Sequence, residues 1–175
     1  MLTFDDALHL GCVSPEVALR IFDALPPLDT TALRGTWRGA EFPTGHPMDG
    51  LLSATGWYGK AFHDDESVHP LLFRGAHAED IFPIDPARVP FSVRVPRHLP
   101  YRALITAARP LLQTPRYTAR LRMTLYRGRV SATMIYDRQP IHDVFRRVND
   151  RTVLGAMDAR GFAAPYFFVL RQERP

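Results

Sequence analysis

Along the last third of the chain, apolar and polar residues alternate one by one. Tyr117, Ala119, Leu121, Met123 and Leu125 fall on one side of the alternation, and Thr118, Arg120, Arg122, Thr124 and Tyr126 on the other. A side-chain period of two marks a half-buried antiparallel strand. Arg127-Gly128 supplies a turn, and Val130, Ala132, Met134 and Tyr136 continue the pattern, so the stretch predicts a hairpin. Asp137 to Pro140 reads as the next turn. Further strands are predicted at Ile141 to Val148, Thr152 to Met157 and Pro165 to Arg171. Asn149-Asp150 and Asp158-Ala159-Arg160-Gly161 mark the turns between them. Short, evenly spaced strands form a meander, which can close into a barrel.

The first half is less regular. Ser14-Pro15-Glu16 combines an N-cap, a first-turn proline and an acid suited to the positive helix end. Val17, Ile21, Ala24 and Leu25 then lie on one helical face, and Pro26-Pro27 ends the helix. Thr36 to Phe42 predicts a strand and Val68 to Phe73 another. Met48 to Tyr58 suggests a second helix, weakened by Gly50, Gly56 and Gly59. Five prolines between 83 and 100 exclude a regular central strand or helix there. Leu99 to Leu112 fits either element.

Charge adds an asymmetry. Residues 1–87 hold 13 acids and 5 bases, whereas residues 88–138 hold 11 arginines and one acid, Asp137. A basic segment attracts phosphates, so an anionic membrane surface enters as a candidate partner. The simpler expectation is that these arginines pair with the acidic half or lie solvated. No recognised nucleic-acid motif accompanies them, which disfavours nucleic acid. Cys12 is the single cysteine, which excludes an intramolecular disulfide framework. No apolar run reaches the roughly 18 residues of a membrane span, and Met1 to Leu10 carries no basic residue of a signal peptide. The expectation is one soluble, cytoplasmic domain over 1–175; the oligomeric state stays open.

Catalytic patterns are sparse. Ser53 lacks the glycine two residues earlier that a nucleophile elbow requires, Cys12 has no persuasive histidine partner, and there is no phosphate-binding loop. The seven histidines show no compact zinc spacing, and no metal ligand is assigned. Asp137, His142 and Asp143 remain as acid–base candidates for an enzyme, with no catalytic residue assigned. Asp143 and Arg146 project to opposite faces if their segment is a strand, and can pair if it is a helical turn.

Leu33-Arg34-Gly35-Thr36-Trp37-Arg38-Gly39, with Pro43-Thr44-Gly45-His46-Pro47-Met48-Asp49-Gly50 and Trp57-Tyr58-Gly59-Lys60, resembles the GXWXG domain. Arg127 to Asp137, Pro140 to Arg146, Leu154 to Asp158 and Tyr166 to Arg171 resemble the domain of unknown function that follows it in bacterial and fungal proteins. The resemblance divides the chain into a GXWXG-like segment at 24–82, a Pro-rich connection at 83–114 and a C-terminal meander at 115–172. It implies no agreed activity. More distantly, a glycine-X-tryptophan entering the first strand after a helix is similar to lipocalins and nitrobindins. Those are barrels for apolar ligands and, in nitrobindins, for haem.

The expected fold is mainly β (α+β): a lipocalin-like antiparallel barrel or strongly curved sheet, with an N-terminal helix and one or two covering helices. The expected function is non-enzymatic binding of an apolar or amphipathic small molecule, a lipid or fatty acid, in the barrel. Trp37, Leu121, Met123, Met134, Tyr136 and Phe145 would line the cavity, and Arg38 or Arg146 would fix an anionic head group. The same alternation describes a filled core equally well. Two alternatives stand beside it: a haem barrel with His142 as axial ligand, and a small-molecule enzyme using Asp137, His142 or Asp143.

Overall fold

A computed structural model describes residues 2–77, 79–89 and 99–173. Strands β1 (Gly35–Glu41), β2 (Trp57–Phe62), β3 (Val68–Arg74), β4 (Ile81–Pro83), β5 (Ala119–Tyr126), β6 (Arg129–Tyr136), β7 (Ile141–Asn149), β8 (Thr152–Ala159) and β9 (Tyr166–Gln172) form one antiparallel sheet. Its order is β2-β1-β9-β8-β7-β6-β5-β3-β4, and β2 also pairs with β3. Eight strands therefore close a ring, and β4 extends β3 outside it. The hairpin and the meander stand where the alternation predicts them, and the expectation of a mainly β barrel holds.

The joints of the ring are unequal. β5 and β6 pair in an unbroken ladder from Ala119↔Tyr136 to Tyr126↔Arg129. β3 and β5 meet at one register pair, Val68↔Ala119, helped by the bonds from Thr118 N to Val68 O (3.1 Å) and Leu121 N to Asp65 O (2.7 Å). Beyond Val68, β3 turns to β4 instead. The two described ends of the Pro-rich connection meet each other: Thr114 N donates to Pro83 O and Asp85 N to Leu112 O. Two short helices, α4 (Tyr101–Ala107) and α5 (Arg109–Leu112), resolve the ambiguous 99–112 stretch. Pro83 ends β4 on the sheet edge and Pro86 opens a 3₁₀ turn, both sites that tolerate a missing N–H. Pro90 and Pro96 lie outside the described residues.

The N-terminus holds two helices rather than one. α1 (Phe4–Leu10) starts at a capping box of Thr3 and Asp6, and α2 (Pro15–Ala24) starts at Ser14 as expected. Phe4, Ala7, Ala18, Ile21 and Phe22 from these helices cover Val144, Leu154, Ala156, Phe167 and Val169 on the outer face of β7, β8 and β9. A separate, larger cluster fills the ring and includes Trp37, Phe62, Leu121, Met134, Phe145 and Phe168.

The helix expected over 48–58 is shorter. α3 spans Leu51–Thr55, and Gly56 (φ +77°) ends it in the left-handed conformation. β2 then starts at Trp57. The basic middle and the acidic half pair, as the simpler charge reading expects: Arg109 with Asp80, Arg122 with Glu66 and Arg127 with Asp23. No helix among the described residues is long and apolar enough to cross a membrane.

Candidate functional site

The second glycine of the first motif is a packing requirement, and the first, Gly35, has a φ of +104°. A Cβ on Gly39 would lie 2.2 Å from the Trp57 ring, so Gly39 makes the space that Trp57 fills. Trp37 sits inside the ring, 1% exposed, and its Nε1 donates to Leu33 O at 2.6 Å. Its apolar body packs in the cluster inside the ring while its only polar group is satisfied.

Gly59 sets the direction of the next residue. Its φ is +152°, and a Cβ there would lie 1.9 Å from Trp37 O. The β2–β3 register shifts on both sides of it, as in a β-bulge. Strict alternation from Trp57 would turn Lys60 outward. The bulge adds one step, and Lys60, opposite Trp37 in the register, points inward instead.

Lys60 is the one lysine of a chain with 22 basic residues, and its side chain is 3% exposed. Its Nζ lies 2.8 Å from Asp143 Oδ2 and donates to Pro70 O at 3.0 Å and to the Tyr136 hydroxyl at 3.4 Å. These are three partners for the three N–H bonds of an ammonium. Pro70 lies where β3 has left β5, so its carbonyl is free to accept. The Phe168, Tyr136 and Trp57 rings surround Nζ at 5.0, 5.6 and 5.7 Å. Phe145 packs edge-on against Phe62 and Phe168 behind them.

Burial dominates the electrostatics. It pushes the Asp143 carboxyl up, against the opposing pull of Lys60 and a hydrogen bond from Tyr136. It pushes the Lys60 amine down, against Asp143. It also holds the Tyr136 phenol well above its ordinary value, so that group stays a neutral donor. Tyr136 additionally lines a pocket of about 120 Å³ at the open end of the β5–β6 hairpin, with Asp85, Thr114, Tyr117, Thr118 and Asp137.

Of the residues expected to line the interior, Trp37, Leu121, Met134, Tyr136 and Phe145 belong to the cluster inside the ring. Met123 does not: it is 42% exposed on the hairpin. Neither arginine can hold a head group inside the barrel. Arg38 follows Trp37 on the strand and is exposed. Arg146 is buried, but on the outer face under α2, with its guanidinium 4.8 Å from the Phe22 ring and donating to Tyr126 O. Asp143 and Arg146 thus lie on opposite faces of a strand. His142 is exposed on the outer face, so it is no axial ligand for a group inside the ring. Asp137 is in a half-exposed pair with Arg120. Lys60 was the omission; its signals were its singularity and the glycine before it.

Three comparisons bear on identity. The GXWXG protein family model matches residues 20–77, and that of a domain of unknown function (DUF4334) matches residues 117–172. No curated protein matches the chain. The crystal structure of a protein from Thermomonospora curvata is 34% identical, covers 97% of this chain and 95% of that one, and superposes with a TM-score of 0.71. The chain belongs to the GXWXG family, with the DUF4334 domain as its C-terminal meander.

Proposed function

We propose that the barrel binds a compact, amphipathic small molecule whose apolar body lies among the aromatic rings and whose single polar group meets Lys60, Asp143 and Tyr136. The caged Lys60 carries this reading. A buried charged pair is weak support for stability, because apolar residues of similar volume do as well or better. A polar centre with aromatic walls beside a surface pocket is the usual form of a small-molecule site. Lys60 already has a carboxylate partner, and both candidate arginines face outward. This favours a neutral polar group, a carbonyl or hydroxyl, over the carboxylate of a fatty acid. The aromatic filling and a pocket of about 120 Å³ favour a short molecule. Asp143 also supports an acid–base reading, since burial raises its pKa beside a phenol.

Native mass spectrometry of gently purified protein, compared with the denatured mass, reads any resident ligand. Trp37 and Trp57 fluorescence then reports titration with hexanal, hexanol and hexanoate. Saturable binding of the neutral probes, lost in Tyr136→Ala, is the expected result. Binding of hexanoate alone, or of none of the three to a ligand-free protein, overturns the reading.

A further inference from the structure

We propose that Lys60 captures carbonyl compounds covalently, so that the occupant of the barrel is an aldehyde or ketone held as an imine on Nζ. This rests on the small-molecule reading above and names its ligand class. The chain uses arginine at every basic position except this one. A guanidinium neither gives up its proton in a protein nor condenses with a carbonyl; a primary amine does both. The one amine side chain of the sequence is the cation turned into the ring, and a bulge glycine that tolerates no Cβ aims it there.

The partners of Nζ supply the proton transfers. Asp143 Oδ2 at 2.8 Å can take a proton from the ammonium, leaving a neutral amine beside a neutral acid. Burial favours this direction for both groups. The nitrogen lone pair adds to the carbonyl carbon, and the C=O π electrons move to oxygen, which takes the Asp143 proton. The new ammonium nitrogen returns a proton to the carboxylate, giving a neutral carbinolamine. The C–O bond then breaks, its oxygen leaves as water with the Asp143 proton, and the nitrogen lone pair forms C=N. The products are water and an iminium facing the Asp143 carboxylate, the same charge pair as at the start. The Tyr136 hydroxyl accepts from the same Nζ at 3.4 Å and so holds the amine beside Asp143. The surrounding Trp57, Tyr136 and Phe168 rings limit the water that would reverse the last step.

The test is reductive trapping on the folded wild-type protein. Hexanal and sodium cyanoborohydride are added at neutral pH, and the denatured mass and peptide map are read. With one lysine, adducts fall either on the Lys60 peptide or on an α-amino terminus. The expected result is one hexyl group on the Lys60 peptide, with hexanol slowing its formation and circular dichroism unchanged. Capture is roughly 100-fold slower in Asp143→Asn, the lower range of a general acid–base contribution. If that variant does not fold, Tyr136→Phe reads the same dependence with the carboxylate in place. Alkylation confined to the terminus while native mass spectrometry shows bound hexanal overturns the imine and leaves the binding reading intact. Absence of both adduct and binding overturns both. A Lys60 adduct that forms equally fast in both variants, or only in unfolded protein, overturns the assigned chemistry.

Discussion

Removing one member of the Lys60–Asp143 pair should harm the protein far more than removing both. In Lys60→Met, Asp143 stays 1% exposed inside the barrel without its cation. Breaking a buried pair this way costs about 3–5 kcal/mol, because one charge is left uncompensated. At about 2–4 °C per kcal/mol for a chain of this size, the melting temperature should fall by about 6–20 °C. The orphaned carboxyl escapes by staying protonated, since burial already pushes it upward and the opposing pull of Lys60 is gone. The folded variant then binds more protons than the unfolded chain. Its stability is fully present below the unfolded carboxyl pKa near 3.9 and is lost as pH rises through the elevated folded value, with a limiting slope of about 1.4 kcal/mol per pH unit. The deficit of Lys60→Met should therefore be smaller at pH 5 than at pH 8. Lys60→Met/Asp143→Leu removes both charges and should recover most of the loss, to within about 1–2 kcal/mol of wild type. Thermal and urea unfolding followed by circular dichroism give all four corners of the cycle at each pH. A single variant as stable as wild type, or a double variant as unstable as the sum of the singles, refutes the claim that these are coupled buried charges.

Gly59→Ala forces a Cβ onto Trp37 O and a non-glycine into positive φ, so a loss above about 2 kcal/mol or insoluble expression is expected, read by thermal melts. Arg146→Ala should destabilise by about 2–3 kcal/mol through its lost buried hydrogen bonds and its contact with Phe22, and leave hexanal affinity unchanged in fluorescence titration. His142→Ala and Arg38→Ala, both exposed, should shift unfolding midpoints by less than about 0.5 kcal/mol. His46 Nδ1 accepts from Met48 N, and burial lowers its pKa, so the folded ring is held neutral. The unfolded chain then takes up the proton first as pH falls below about 6.5. Melting temperature should fall over that range, and by less in His46→Gln.

How far the sequence was legible depended on whether alternation was kept. β5 to β9 keep it, and their inner faces follow from parity. Parity also separates Arg146 and His142 from Phe145 and Asp143, their immediate neighbours on β7, so the head-group role for Arg146 failed on a rule already in hand. Met123 shows what parity leaves out: it lies on the inward set, but on the hairpin and not within the buried core. β2 was missed because its bulge breaks the alternation at the one place where a charge enters the ring. α1 was missed because seven residues with two buried side chains make a faint stripe, although Thr3 and Asp6 form a readable cap. Tyr136 and Asp143 were both named from sequence, but only tertiary pairing brings Lys60 to them across 76 and 83 positions of chain.

The ring meets at one register pair between β3 and β5, while its neighbours are laced by long ladders. Mechanically it is a split collar. Next to the split, Thr114 is tied to Pro83 and Asp85 to Leu112, and the Pro70 carbonyl and the Tyr136 hydroxyl both accept from Lys60. Such a collar yields at the slit first, because fewer backbone bonds must break there. The amides of Thr118 and Leu121 should exchange with deuterium sooner than those deep in β8. On the proposed small-molecule reading, traffic to the interior would be metered by how often the slit springs apart, so entry and departure would share one rhythm set by the fold and not by the molecule carried.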